Sequence, residues 1–160
     1  MKILFPVIPQ IFGLIRDNAP KSEIYSLNEK SFFQEELNRH KMTLLHLALR
    51  FEKNFELIKL IVDKKSNLNA KDKANFTPLI YACKNEKISL ETISYLVEKK
   101  SDLNAKGNLE KSALHIACEL NSFEVIKLLI EKKCPINSQD FHKNIPVQYI
   151  CKEKSFHWSH

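Results

Sequence analysis

The chain has 160 residues, 44% of them hydrophobic, a net charge of +6, and no apolar run of the roughly 20 residues that a membrane-spanning helix needs. That composition is globular rather than disordered and amounts to one domain's worth of sequence. Four cysteines are too few to staple a chain of this length, so a reducing compartment is expected: the cytoplasm, with the nucleus also compatible.

In chain order, residues 1–40 come first. The apolar run Ile3 to Ile15 is broken by Pro6, Pro9 and Gly13, and Arg16 and Asp17 follow at once. Lys2 precedes it, but no small-x-small cleavage site stands behind it, so it is expected to be an apolar cap on the domain end rather than a secretory signal. The helix-prone stretch Ser22 to Asn38 belongs to the same N-terminal capping segment.

From residue 41 onward the chain repeats itself. "TLLHLAL" begins at Thr43, "TPLIYAC" at Thr77, "SALHIAC" at Ser112 and "IPVQYIC" at Ile145, at steps of 34, 35 and 33 residues. After each of the first three comes a second apolar segment at helical spacing: Phe55 to Lys65, Leu90 to Lys100 and Phe123 to Lys133. Each is followed by a turn-prone phrase, "SNLNAKD", "SDLNAKG" and "CPINSQD". Each unit therefore predicts two short helices and a turn. The hydroxyls of Thr43, Thr77 and Ser112 are expected to cap the first helix, with Pro78 at a first-turn position where no N–H donor is required. His46 and His115 stand three residues after the cap, where a polar side chain can reach back to the cap backbone. Neither helix of a pair can bury its apolar stripe alone; stacked copies can.

The period and the T-P-L-H-x-A phrase resemble the ankyrin repeat, over residues from about Lys41 to the end. The resemblance implies an all-α solenoid of stacked helix-turn-helix units with hairpin turns, divided at about 41–74, 75–109, 110–142 and a truncated 143–160. The family usually places glycine after the second helix and in the hairpin. Here those positions hold Lys65, Lys100 and Lys133, and Lys41, Asn75, Glu110 and Lys143. Left-handed backbone at a non-glycine residue costs about 1–2 kcal/mol, so modest stability is expected. Unit two has Ile80 in place of the histidine. Unit four lacks the hydroxyl cap and carries Ile150 where Ala48, Ala82 and Ala117 stand, which makes it the loosest unit. It breaks off four residues after Ser155-Phe156, so the chain is expected to be a piece of a longer array.

Catalytic and metal chemistry lack their parts. Cys83, Cys118 and Cys151 recur at one repeat position and fit small residues between helices, while Cys134, in a turn, is expected to be the most reactive thiol. No nucleophile–base pair accompanies His46 or His115, no C-x-x-C frames a zinc site, and two glycines leave no phosphate loop. No cofactor is expected. The Lys pairs at 64–65, 99–100 and 132–133 are read as complements to the negative helix ends. No aromatic residues interleave them, so nucleic acid is not the expected partner.

The resemblance implies a non-catalytic protein–protein interaction module that binds through hairpin tips and a concave groove. The alternative is a recognition or inhibitory subunit, or a fragment, of a larger enzyme complex such as a kinase or ubiquitin ligase. Carried onto this chain, the contact positions are Arg39, His40, Met42, Arg50 and Phe51 in unit one. Unit two supplies Lys73, Ala74, Phe76, Lys84 and Asn85. Unit three supplies Asn108, Leu109, Lys111, Glu119 and Leu120, and unit four Phe141. Phe51, Phe76 and Phe141 are the expected anchors. Arg39, Lys73 and Lys111 form a basic rim suited to an acidic protein.

Overall fold

The computed structural model describes residues 40–51 and 54–152; of Cys151 and Lys152 it describes the backbone alone. Residues 1–39, the expected N-terminal cap with Arg39, lie outside the described residues, as do the side chain of Cys151 and residues 153–160.

Among the described residues seven α-helices follow in order: α1 (Leu44–Phe51), α2 (Phe55–Asp63), α3 (Pro78–Lys84), α4 (Leu90–Glu98), α5 (Ala113–Glu119), α6 (Phe123–Glu131) and α7 (Val147–Lys152). A 3-10 turn, Asn108–Glu110, precedes α5. Among the described residues there is no strand, only an isolated bridge between Lys106 and Ser112. The helices form two layers. In one, α1 packs on α3, α3 on α5 and α5 on α7; in the other, α2 packs on α4 and α4 on α6. Each unit's two helices also pack on each other, α1 on α2, α3 on α4 and α5 on α6. The expected all-α stack of helix pairs is the fold observed.

Helices of six to nine residues are too short to be stable alone in water, so tertiary burial decides. α1 buries Leu44, Leu45, Leu47 and Leu49, and α2 buries Leu57, Ile58, Ile61 and Val62. Each such side chain contributes about 1.5–3 kcal/mol when it leaves water. Ala48, Ala82 and Ala117 are buried at equivalent points of α1, α3 and α5, where a small side chain lets neighbouring helices approach.

All seven positions expected to need glycine adopt left-handed backbone: Lys41, Lys65, Asn75, Lys100, Glu110, Lys133 and Lys143, with φ between 58° and 71°. After α4 the reason is visible in the hydrogen bonds. Lys100 N–H reaches the Val97 carbonyl at 3.0 Å, and Ser101 N–H reaches Leu96 at 3.1 Å. Lys133 and Cys134 repeat the pattern on Ile130 and Leu129 after α6, at 2.9 Å each. This paired closure satisfies the last carbonyls and requires a left-handed residue just past the cap.

One expectation is corrected and another extended. Cys134 is not an exposed turn thiol: it is 3% exposed, its Sγ faces the Leu103 carbonyl, and burial pushes its pKa up to about 11. Its neighbour in rank, Cys83, is pushed by burial to about 12, so neither thiol is poised to react. The lysine stripe does not simply complement its own helix ends. Lys99 pairs with Asp63 at 3.2 Å and Lys132 with Glu98 at 3.6 Å, each reaching back to the acid that closes the preceding unit's second helix.

Lys100→Gly is expected to stabilise the protein by about 1 kcal/mol, because glycine takes the left-handed cap position without the Cβ penalty. Urea unfolding against the wild type measures it; a loss of stability would mean the cap is not strained.

Candidate functional site

The hairpin tips are built by one acidic residue per turn. In the second unit Asp72 Oδ1 accepts the N–H groups of Ala74 and Phe76, both at 2.8 Å, and Oδ2 accepts the Tyr81 hydroxyl at 2.8 Å. In the fourth unit Asp140 does the same for His142 and Asn144, both at 2.9 Å, and takes the Tyr149 hydroxyl. Burial opposes the Asp140 charge, but these donors outweigh it and hold its pKa down to about 2. Burial and the Asp72 carboxylate raise Tyr81 to about 12.

Each Asp–Tyr tip is locked to the unit before it by a histidine. His46 Nδ1 accepts from Thr43 N–H at 3.1 Å and lies 2.8 Å from the Thr43 hydroxyl, while Nε2 faces the Phe76 carbonyl at 3.0 Å. A carbonyl can only accept, so Nε2 carries the proton and Nδ1 is the bare acceptor. His115 repeats this with Ser112 and the Asn144 carbonyl, at 3.1 Å. Both rings meet the next unit's tyrosine edge-on, His46 with Tyr81 and His115 with Tyr149. Burial lowers both histidine pKa values below 6.5. The capping box at Ser112 is complete. At Thr77 the expected cap is absent: its hydroxyl is buried and bonds nothing among the described residues, because Ile80 supplies no ring nitrogen. In the fourth unit Gln148 takes over part of the missing cap, accepting Ile145 N–H at 2.7 Å.

The structure sorts the expected contact residues. Phe51 and Phe141 are 56% and 67% exposed, and Leu109 is 45% exposed. His40, Arg50, Lys73, Lys84, Asn108 and Glu119 are also exposed. Ala74, Phe76, Asn85, Lys111 and Leu120 are half-buried. Met42 is a correction: at 2% exposure it belongs to the core under the first tip and is unavailable to a partner. Asn85 has a structural task, its amide capping the α1 end through the carbonyls of Leu49 at 2.9 Å and Arg50 at 3.3 Å. Lys111 is not a free rim charge: it pairs with Glu119 at 2.8 Å and lies over the Tyr149 ring.

Phe76, Lys84, Asn108, Leu109, Lys111, Glu119 and Leu120 come together with Ile116 around one cleft of about 440 Å³ between the second and third units. A neighbouring cleft of about 360 Å³ is lined by Arg50, Tyr81, Lys84 and Asn85, so Lys84 borders both. Sequence reasoning missed Asp72, Asp140, Tyr81 and Tyr149. Their signal was present: Asp72 and Asp140 stand five residues before the phrase that opens their unit, and the tyrosines nine after the acids. Among the described residues no cluster of His, Cys, Asp or Glu is placed to hold a metal ion, and no helix is long and apolar enough to cross a membrane.

A two-layer stack of helix pairs joined by projecting hairpins defines a repeat scaffold whose free surface is its tips and the cleft beneath them. The sequence pattern described as "Ankyrin repeats (3 copies)" matches residues 45–140, and the chain belongs to the ankyrin-repeat family. Ankyrin repeats are generally protein–protein interaction modules, and the family is typically non-catalytic. The chain is 26% identical over 112 residues to inversin of the dog, Canis lupus familiaris; that stretch covers 70% of this chain and 10% of inversin.

Two predictions follow from the tips. Gly107→Ala would set a Cβ within 2.3 Å of the Phe76 ring, so it is expected to cost about 1–3 kcal/mol in urea unfolding, with part of the loss recovered in the double variant with Phe76→Leu. The histidines give a pH dependence. The folded state prefers neutral imidazole, so below pH 6.5 the unfolded chain binds protons that the folded state refuses, and stability falls as pH drops. Thermal melts from about pH 7.5 to about pH 5 are expected to show that decline. The variant with His46→Gln and His115→Gln is expected to show a shallower one; equal slopes would assign the loss to other groups.

Proposed function

We propose that this chain is a non-catalytic module that binds another protein through its hairpin tips and the groove beneath them. One observation carries the reading: residues named as contacts from repeat register alone, spread from Phe76 to Leu120 in sequence, surround a single cleft between two units. Phe51 at the end of α1 and Phe141 at the fourth tip are exposed aromatics that suit interface anchors. The cleft is floored by apolar side chains; at its edge Lys111 is matched by Glu119, whereas Lys84 pairs with no carboxylate among the described residues, which favours a protein with acidic groups at its contact surface. A charged rim of this kind sets the rate and selectivity of association more than its strength. The same reading keeps the cytoplasm expected from the cysteine count. Because the chain spans about a tenth of the length of inversin, the activity of any larger assembly is outside this proposal.

The test is affinity capture from a native extract with two baits. One is the wild-type chain; the other carries Phe51→Ala, Lys73→Ala, Lys84→Ala and Leu109→Ala, all at exposed positions. A bound protein is expected to drop at least about tenfold on the second bait, since a few anchor residues dominate such interfaces. Equal retention on both would remove the tips and groove from the interaction.

A further inference from the structure

The junctions of this stack are of two kinds. Between units one and two, and again between three and four, a histidine, an aspartate and a tyrosine tie one tip to the next. The tips there are also joined backbone to backbone: Lys73 N–H donates to the His40 carbonyl and Phe141 N–H to the Leu109 carbonyl, both at 2.9 Å. The same register calls for Asn108 N–H to donate to the Ala74 carbonyl between units two and three. Among the described residues that bond is absent, and no backbone bond joins the second tip to the third.

The cause is local. The third unit has Gly107 where the others have Asp72 and Asp140, so no carboxylate gathers the tip's N–H groups. The tip closes instead as a 3-10 turn with two consecutive left-handed residues, Leu109 and Glu110. Ile80 and Ile116 replace the histidine and the tyrosine, and the Phe76 ring occupies the space a side chain at 107 would fill. The cleft walled by Phe76, Leu109, Ile116 and Leu120 lies at this junction.

The charges around it are unequal. Lys111 is matched by Glu119 and Lys106 by Glu110. Among the described residues neither Lys84 nor Arg50 pairs with a carboxylate; Lys84 lies over the Phe76 ring and Arg50 over Phe51. Both line the neighbouring cleft.

We propose that the junction between the second and third units is the anchor point of the groove, and that it takes an extended acidic peptide segment carrying one apolar side chain. The apolar side chain enters between Phe76, Leu109, Ile116 and Leu120. The peptide backbone takes up the Asn108 N–H and Ala74 carbonyl that the register leaves unjoined, in the manner of a strand added to an open edge. Carboxylates alongside meet Lys84 and Arg50. A nucleic-acid strand would satisfy the cations but leave the apolar wall unused. The proposal rests on the module reading above and adds the partner's chemistry to it.

The probe is a phage-displayed library of random short peptides panned against the full chain. Selected peptides are expected to share an apolar residue followed by acidic ones, and to move the Asn108 and Leu109 amides most when titrated into isotope-labelled protein. Lys84→Glu is expected to weaken them at least about tenfold with its thermal melt unchanged, whereas Lys127→Glu, the same charge change on α6, changes affinity less than about twofold. An empty selection, a consensus without acids, or shifts centred away from the junction overturns the anchor proposal. If capture from extract still depends on the tips in that case, the module reading stands; if both fail, both fall.

Discussion

Burial that no single unit can achieve is the constraint on which everything else rests. The helices are six to nine residues long, below the length at which an isolated helix holds in water. Each therefore exists only because a neighbour covers its apolar face, and the neighbour must come close. Ala48, Ala82 and Ala117 allow that approach in the first-helix layer, and all three are fully covered. The period of the sequence is thus a packing requirement. One helix pair plus its hairpin must advance the chain by one layer, and the next small residue must arrive in register.

The same constraint explains why strained caps persist. Lys65, Lys100 and Lys133 hold left-handed backbone at the end of each second helix, with no glycine to relieve it. Each gives up about 1–2 kcal/mol relative to glycine, yet closing the helix there lets the chain turn back toward the next tip. Burial of several Leu and Ile side chains per unit outweighs that local loss. The lysine side chains do further work: Lys99 and Lys132, one residue earlier, bridge to the acid of the preceding unit. Such exposed pairs are worth little individually. They nonetheless leave the stripe partly neutralised, and a partner attracted by positive charge meets less of it there than composition implies.

Most of the architecture was legible because it is carried by residues that recur. The Thr or Ser opening the first helix of units one to three, the Ala five residues later at the helix crossing, and the Lys pair closing each second helix all sit at fixed offsets, so their meaning follows from position. What escaped was carried by exceptions. Met42 looks like a tip residue by register, but its flexible apolar side chain fills the core beneath the tip. Cys134 looks exposed in a turn phrase, but it is the residue whose N–H closes α6, which draws it inside. Thr77 matches Thr43 in sequence, yet its hydroxyl lacks a partner because the histidine that would receive it is Ile80. The site was legible to a similar degree. Register located the cleft-lining positions, whereas the acid and tyrosine that shape two of the tips were invisible until their hydrogen bonds were seen.

Those hydrogen bonds belong to a set that changes together. A buried aspartate needs the tip N–H groups and a tyrosine hydroxyl to offset its desolvation; the tyrosine in turn packs edge-on against the preceding unit's histidine. Removing one member strands the others. At the second junction the whole set is gone: Gly107, Ile80 and Ile116 stand where Asp, His and Tyr stand elsewhere. The orphan hydroxyl of Thr77 is the remnant of that exchange. With the polar lock replaced by side chains that have no directional demands, the third tip meets the second through the Phe76 ring on Gly107 rather than through hydrogen bonds, and the turn adopts a geometry that suits Gly107. The tips are therefore joined by hydrogen bonds where the polar sets are complete and border a cleft where they are missing, and that cleft runs from exposed Lys84 and Leu109 down to buried Ile116.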